Sequence, residues 1–500
     1  MQNRTGRFSA VLMSISSLPN RFGVGGLGRE AENFIKFIKQ AGFSAWQILP
    51  VNPLDSGNSP YGSCSAFAGN FLYIDPQWLY ENGFLTKIQL DDCVYSGSPY
   101  TVDYPKVFEL KRRMLKNAYN AKADELGQCL ELFKAENPWV KDYALYMAIK
   151  DTYDSAPFYA WESQHKCYKN ALLKSDEFYK SSNYYVFEQY IFYLQYNEIY
   201  NFAKKNNILI IGDIPIYVAA DSVDVWKNPE LFSLNDDFKP KMVAGVPPDA
   251  FSKTGQLWGN PVYEWKSHEK NDFLWWRLRL RHTFEMYDIV RIDHFRGFSS
   301  YYQIEFGSAD AVNGKWVSGP GMKLFSKILE DFPAEKFIAE DLGTITPDVE
   351  KLLLETKIKS MRVVQFGFSG EDSPHLPHNY KDNCIAYVGT HDNNTLLGWL
   401  WELDSGTRKT VLDYCGFKGS DWGCGGFKSE PCRCVTETVF KSAAKAVIVP
   451  FQDLCGFGSD ARMNMPGTAE NNWRFRTVND VIDSVDREYF LKINKLFFRV

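Results

Sequence analysis

The chain has 500 residues, 45% of them hydrophobic and 23% charged, and its 56 Lys+Arg against 61 Asp+Glu leave a net charge of −5. Such a composition excludes a mainly disordered protein, and the absence of a basic surplus argues against a nucleic-acid partner. No stretch approaches the ~18 uninterrupted apolar residues of a membrane span, while an aromatic share of 16% suits a large core and also stacking on sugar rings.

At the start of the chain, Arg4 and Arg7 would serve the basic end of a secretory leader. The apolar run that follows, residues 10–15, is short of the ~7–15 residues such a leader needs and is broken by Ser14. The reading is a buried first strand in a cytoplasmic protein. Further short apolar, β-branched runs recur at 45–51, 208–214, 289–295, 337–342, 361–366, 385–389 and 446–451. With residues 10–16 they make a set of eight, each of a length that suits a strand buried on both faces. Helical patterns lie between most of them. Residues 30–40 place Phe34, Phe37 and Ile38 on one face. Thr346-Pro347-Asp348 starts a helix running to about Thr356, a long aromatic helix spans 185–206, and another precedes the fifth run at 325–332.

Eight strands alternating with helices predict an α/β fold, a (β/α)8 TIM barrel, with the extra length in inserted helical and loop subdomains. The whole of 1–500 reads as one catalytic domain. Insertions fall at 52–207 after the second strand, 216–287 after the third (with a cleft-covering loop at 245–261) and 396–445 after the seventh. The alternative is a doubly wound open sheet, for which Gly23-Val24-Gly25-Gly26-Leu27-Gly28 nearly supplies the phosphate loop. That segment follows Pro19, and no acid closes the second strand where a ribose would need one. The ten cysteines show no regular spacing and fit reduced thiols. Four of them, Cys415, Cys424, Cys432 and Cys434, are close enough for structural zinc, yet they form no Cys-x-x-Cys pair.

Barrel chemistry sits at the C-terminal ends of the strands. There the sequence reads Gly212-Asp213, Arg291-Ile292-Asp293-His294, Ala339-Glu340-Asp341 and Thr390-His391-Asp392. Carboxylates from four strands thus share one rim, an arrangement of like charges that a fold tolerates mainly where catalysis needs it. Arg291 and Asp293 are two apart and point the same way. The guanidinium is expected to keep Asp293 ionised, as a nucleophile, by lowering its pKa. Glu340, near other carboxylates, is expected to stay protonated, and Asp341 to face away from it. An ionised and a neutral carboxyl are the pair glycoside cleavage uses, and a separation of about 5–5.5 Å would imply retention through a covalent intermediate. Each acid also has a plainer reading: Asp213 as a loop cap, His294 and His391 as buried hydrogen-bonded residues, and Asp392 as a metal ligand, although no set shows metal-ligand spacing.

Around these residues stand longer motifs: Trp46-Gln47-Ile48-Leu49-Pro50, Ser59-Pro60-Tyr61, the run from Gly212 to Val218, the runs from Gly245 to Phe251 and from Gly255 to Pro261, Arg291 to Gly297, and Arg462 to Thr468. Together they resemble glycoside hydrolase family 77, the 4-α-glucanotransferases of the α-amylase clan, along the whole chain. The resemblance implies Asp293 as nucleophile, Glu340 as general acid/base and Asp392 as the third catalytic carboxylate. It implies Asp213, Arg291, His294 and His391 as holders of the sugar at the cleavage subsite. Tyr61 would be an aromatic platform and Asn464 a polar contact there, with Phe251, Gln256, Trp258 and Asn260 in a mobile loop over the cleft. The cysteine-rich stretch 415–434 matches no motif of the family.

The expected function is transfer of an α-1,4-glucan segment to the 4-hydroxyl of glucose or another glucan. The implied partners are maltooligosaccharides, glucose and α-1,4-glucans, with no cofactor, no metal, no nucleic acid and no membrane. An α-glucan hydrolase with an open acceptor side is the rival enzyme, and a catalytically silent maltodextrin binder is the rival of another class.

Overall fold

The computed structural model describes residues 6–248, 252–468 and 470–500. Twelve strands form among them: β1 (Phe8–Leu12), β2 (Ala45–Gln47), β3 (Leu209–Ile214), β4 (Met242–Val246), β5 (Gln256–Pro261), β6 (Ile289–Ile292), β7 (Ser300–Glu305), β8 (Lys315–Ser318), β9 (Phe337–Ala339), β10 (Lys359–Val363), β11 (Cys384–Tyr387) and β12 (Ala446–Pro450).

Eight of these close a parallel barrel in the order β1-β12-β11-β10-β9-β6-β3-β2. The eight apolar runs supply those eight strands, and the open doubly wound alternative falls. The Gly-rich near-match lies in the loop after β1, packed so tightly that a Cβ on Gly25 would stand 1.9 Å from the Ile15 carbonyl. Each barrel strand is shorter than its apolar run, because pairing stops where a neighbour stops. β2 pairs only through 45–47, with 10–12 of β1 and 209–211 of β3. Residues 15–16 and 364–366, read as strand, fall instead in the 3-10 turns Ile15–Ser17 and Val364–Ser369. Within the barrel the Tyr387 hydroxyl donates to Gln47 Oε1 at 2.9 Å, and Trp46 Nε1 donates to Met13 O at 2.8 Å, so these buried polar atoms are paired.

The segment between β2 and β3 is largely helical and ends in the helix Tyr179–Lys205. That helix buries Gln189 and Gln195, whose side-chain amides bond to backbone. Gln189 accepts from Gly69 N at 2.7 Å and donates to Gly69 O at 3.0 Å, and Gln195 accepts from Asp75 N at 2.7 Å. The irregular chain 66–75 leading away from the barrel rim thereby finds partners for its buried amides. One apolar cluster runs from the barrel into this lobe.

The loop expected at 245–261 is instead largely a hairpin. β4 and β5 pair antiparallel, β4 also pairs β7, and β7 pairs β8, giving a four-stranded sheet in the order β5-β4-β7-β8. Val243, Tyr302, Ile304 and Ala311 form its own small core. Phe251, expected in the same loop, lies outside the described residues. The ten cysteines are all free thiols, and among the described residues no group of three or more His, Cys, Asp or Glu side chains is placed to hold a metal ion.

Candidate active site

The rim acids come from the C-terminal ends of β3, β6, β9 and β11. Only Asp213 sits inside its strand, while Asp293 and Glu340 each follow the last paired residue and Asp392 stands five residues beyond β11. The backbone still fixes the first three: Asp293 N donates to Ile214 O at 2.9 Å and Glu340 N to Ile292 O at 3.0 Å. Beside Asp213, Gly212 leaves room for the Tyr287 ring, which a Cβ would meet at 2.1 Å.

Arg291 is the hub. Its Nη1 donates to both oxygens of Asp213 (2.8 and 2.7 Å), and its Nη2 pairs with Asp293 Oδ1 at 2.9 Å. The Tyr61 hydroxyl donates to Asp213 Oδ2 at 2.8 Å. Burial works against the charge on Arg291, but Asp213 and Asp293 hold it firmly protonated. Asp293 keeps 29% of its side chain exposed at the cleft mouth, yet the surrounding walls desolvate it. Burial raises its pKa to about 6 against the opposing pull of Arg291. The expectation of a lowered pKa at Asp293 is therefore corrected, since desolvation outweighs the guanidinium.

Glu340 is raised further, to about 8, by burial and then by the charge of Asp293. Its Oε2 accepts from His294 N at 2.7 Å and its Oε1 from Leu342 N at 2.9 Å. The first of these bonds requires the left-handed backbone of His294, φ +49°. The order expected of the two carboxyls survives: Asp293 loses its proton before Glu340 does. Asp341 does face away, accepting from Met361 N at 2.6 Å and pairing with Arg362 at 3.1 Å.

Across the cleft, Asp392 pairs with His391 Nε2 at 3.2 Å and accepts from Asn464 Nδ2 at 2.6 Å. Burial would raise its pKa, but His391 and Asn464 bring it down to about 2. Burial lowers the pKa of His391 and Asp392 more than reverses that, leaving it raised. The His391 ring stacks on Tyr61 at 5.3 Å and 17°. His294 is the opposite case, a neutral ring lowered to about 3 by burial and by Arg296.

Three of the residues expected over the cleft lie on β5. Trp258 presents a ring 36% exposed, edge-on to His294 at 4.8 Å. Gln256 Oε1 accepts from the Trp258 indole at 3.1 Å, and Asn260 Nδ2 donates to Val218 O at 2.9 Å, tying the hairpin to the loop after β3. Because β4 pairs β7, which follows the His294 turn closely in sequence, the hairpin and the rim share one frame.

Sequence reasoning missed two residues here. Arg462 donates to the carbonyls of Asp392 and Asn464 at 2.7 and 2.8 Å and so holds the loop pair together. It lies within a motif already singled out, which was a usable signal. Trp473 touches both Tyr61 and His391 at 5.7 Å, and nothing in periodicity or spacing marks it.

A family model described as 4-alpha-glucanotransferase, glycoside hydrolase family 77, matches residues 13–480. The chain belongs to this family. The 4-alpha-glucanotransferase of Aquifex aeolicus is 41% identical over 503 residues, covering 99% of each chain, and that of Clostridium butyricum is 40% identical over 97% of this chain and 100% of its own. Among solved structures, an amylomaltase from Streptococcus agalactiae in complex with acarbose is similar with a TM-score of 0.94 at 37% identity, covering 99% of both chains. Coverage of this extent makes the barrel and its inserted segments features of a 4-alpha-glucanotransferase throughout. No helix among the described residues is long and apolar enough to cross a membrane.

Proposed function

We propose that this 4-alpha-glucanotransferase moves a segment of an α-1,4-glucan to the 4-hydroxyl of glucose or another α-1,4-glucan by a retaining double displacement. A carboxylate oxygen of Asp293 attacks the anomeric carbon. The glycosidic C–O bond breaks as Glu340 gives its proton to the departing 4-oxygen, leaving a glycosyl ester on Asp293. The deprotonated Glu340 then takes the proton of an incoming 4-hydroxyl, whose oxygen attacks the anomeric carbon and frees Asp293. The steps balance with two carboxyls, so the reading calls for no cofactor.

The observation that supports this most is the pairing of unlike carboxyls. Asp293 rests on Arg291, and Glu340 is raised above it, accepting from the backbone N–H groups of His294 and Leu342. Asp392, held ionised by His391 and Asn464, is the charge that meets the developing oxocarbenium ion. Asp213, Arg291, His294, His391, Tyr61 and Asn464 would hold the sugar at the point of cleavage. Trp258, with Gln256 and Asn260, would cover the acceptor side and exclude water, which at ~55 M competes for the same ester. The acarbose bound by the Streptococcus agalactiae relative is in keeping with an α-glucan in this cleft. We also read barrel and inserted lobes as one catalytic unit, and the ten free thiols as suited to the reducing cytoplasm.

The test is a mechanism-based trap combined with a product profile. A fluorinated maltosyl donor should leave its label on Asp293, and a label on any other residue overturns the assignment. Maltotriose should give glucose and longer chains with little gain in reducing ends. A steady rise in reducing ends would replace the reading with hydrolysis, and binding without products would replace it with a silent binder.

A further inference from the structure

Trp473 adopts a backbone conformation that bulky side chains rarely take, φ +65°. Both sides of it are pinned. Its amide donates to Met463 O at 2.8 Å, and its carbonyl accepts from the Tyr104 hydroxyl at 2.7 Å. Tyr104 opens the helix Tyr104–Lys122 of the inserted lobe. An unfavourable backbone of this kind persists only where its surroundings over-determine it, and such residues gather at functional sites. A tryptophan needed only for filling would not require it.

What the conformation achieves is the position of the indole. The ring is buried and leans on Tyr61 (5.7 Å, 40°) and on His391 (5.7 Å, 38°), which are themselves stacked. Those two residues share a weakness. Asp213 and Arg291 stand on barrel strands, whereas Tyr61 sits in the turn-rich segment 59–63 and His391 stands four residues past the end of β11. Side chains carried on loops are held less accurately than those on strands unless a supporting shell fixes them. Their polar ends must nevertheless reach two particular carboxylates, Asp213 and Asp392. Met463, which receives the Trp473 amide, precedes Asn464, so the same short contact also steadies the second partner of the Asp392 carboxylate.

We propose that Trp473 is a positioning residue for the cleavage subsite, a wedge that sets the Tyr61–His391 stack and is itself locked by Tyr104 from the inserted lobe. The proposal rests on the reading of that subsite given above. It makes the lobe helix Tyr104–Lys122 a contributor to catalysis through the Tyr104 hydroxyl, which reaches the wedge and not the substrate.

The experiment uses the full chain with Trp473→Leu, Trp473→Phe and Tyr104→Phe, assayed on maltotriose beside ¹⁵N-histidine NMR of the His391 imidazole. Misplacement of about 1 Å can cost on the order of 100-fold. Trp473→Leu should therefore lose about 100-fold in kcat with KM changed by less than about threefold, since the wedge serves geometry and not substrate contact. Trp473→Phe should recover part of that loss, and Tyr104→Phe should lose severalfold in kcat. In Trp473→Leu the His391 titration should fall toward the ordinary value of about 6.5, because its elevation comes from Asp392 against burial. Variants that fold, melt earlier and keep wild-type kcat, KM and His391 titration would overturn the proposal and leave Trp473 as packing. If Trp473→Leu does not fold, the other two variants carry the same comparison. If the wild-type chain transfers nothing from maltotriose, the proposed function fails, while the His391 titration still judges the wedge alone.

Discussion

Replacing Asp293 by Asn removes one oxygen's charge and nothing else of its shape. We expect transfer on maltotriose to fall by roughly 10³-fold or more, with an unchanged far-UV circular dichroism spectrum. The two carboxyls also set a pH profile. Activity needs Asp293 ionised, so it falls as pH drops through about 6, and it needs Glu340 protonated, so it falls as pH rises through about 8. A bell for kcat/KM with limbs near those values is the expected result, and Glu340→Gln should abolish the alkaline limb. That variant should still release fluoride from α-maltosyl fluoride, whose leaving group needs no proton. At this scale the sequence displayed most of the rim, because acids at strand ends are visible once strands are. The sign of the Asp293 shift was hidden, since desolvation depends on walls built by distant residues. Trp473 was hidden for a similar reason: its backbone angle has no trace in composition or period.

Elements show where pairing decides. Gln189 serves both backbone groups of Gly69, so Gln189→Leu strands a buried donor and an acceptor. Each such loss costs ~1–3 kcal/mol, and we expect a lower urea midpoint with the m-value unchanged. The hairpin gives a functional counterpart. Trp258→Ala removes the ring that stands over His294, and the ratio of transfer to hydrolysis on maltotriose should drop severalfold, read as reducing ends released per glucose formed. The second sheet escaped sequence reading because its strands are weak signals. β5 (QLWGNP) and β8 (KWVS) are exposed or half-buried at every residue but Pro261 and do not alternate cleanly, whereas the barrel strands are buried on both faces and read as solid apolar runs. Tertiary pairing, of β5 with β4 and of β8 with β7, and not local propensity, makes them strands.

Over the whole molecule, buried carboxyls tie stability to pH. Asp453 lies beside a cavity of about 20 Å³ under the turn that carries His391, large enough for one water. Its Oδ1 accepts from Leu396 N at 2.7 Å and its Oδ2 has no partner among the described residues. Burial raises its pKa to about 7 from an ordinary value near 3.8, and burial raises Glu188 to about 7 as well. The folded chain thus binds protons that the unfolded chain has released, and stability from these groups is lost as pH rises from about 4 through 7. We expect Asp453→Asn to flatten that part of the curve of thermal midpoint against pH and to melt above wild type at pH 8. The barrel was the most legible level of all, since eight buried runs separated by helices admit few other closures, but the paired extents were not, because each strand ends where its neighbour does. The seam of that barrel has a consequence for synthesis. β1 pairs in register with β12, Phe8 beside Ala446 and Leu12 beside Pro450. β1 must therefore wait, one edge bare, until the chain has been translated through β12. Ribosome-bound chains halted before Ala446 should remain protease-sensitive at β1 and captured by chaperones, while the helical lobe between β2 and β3 is already compact.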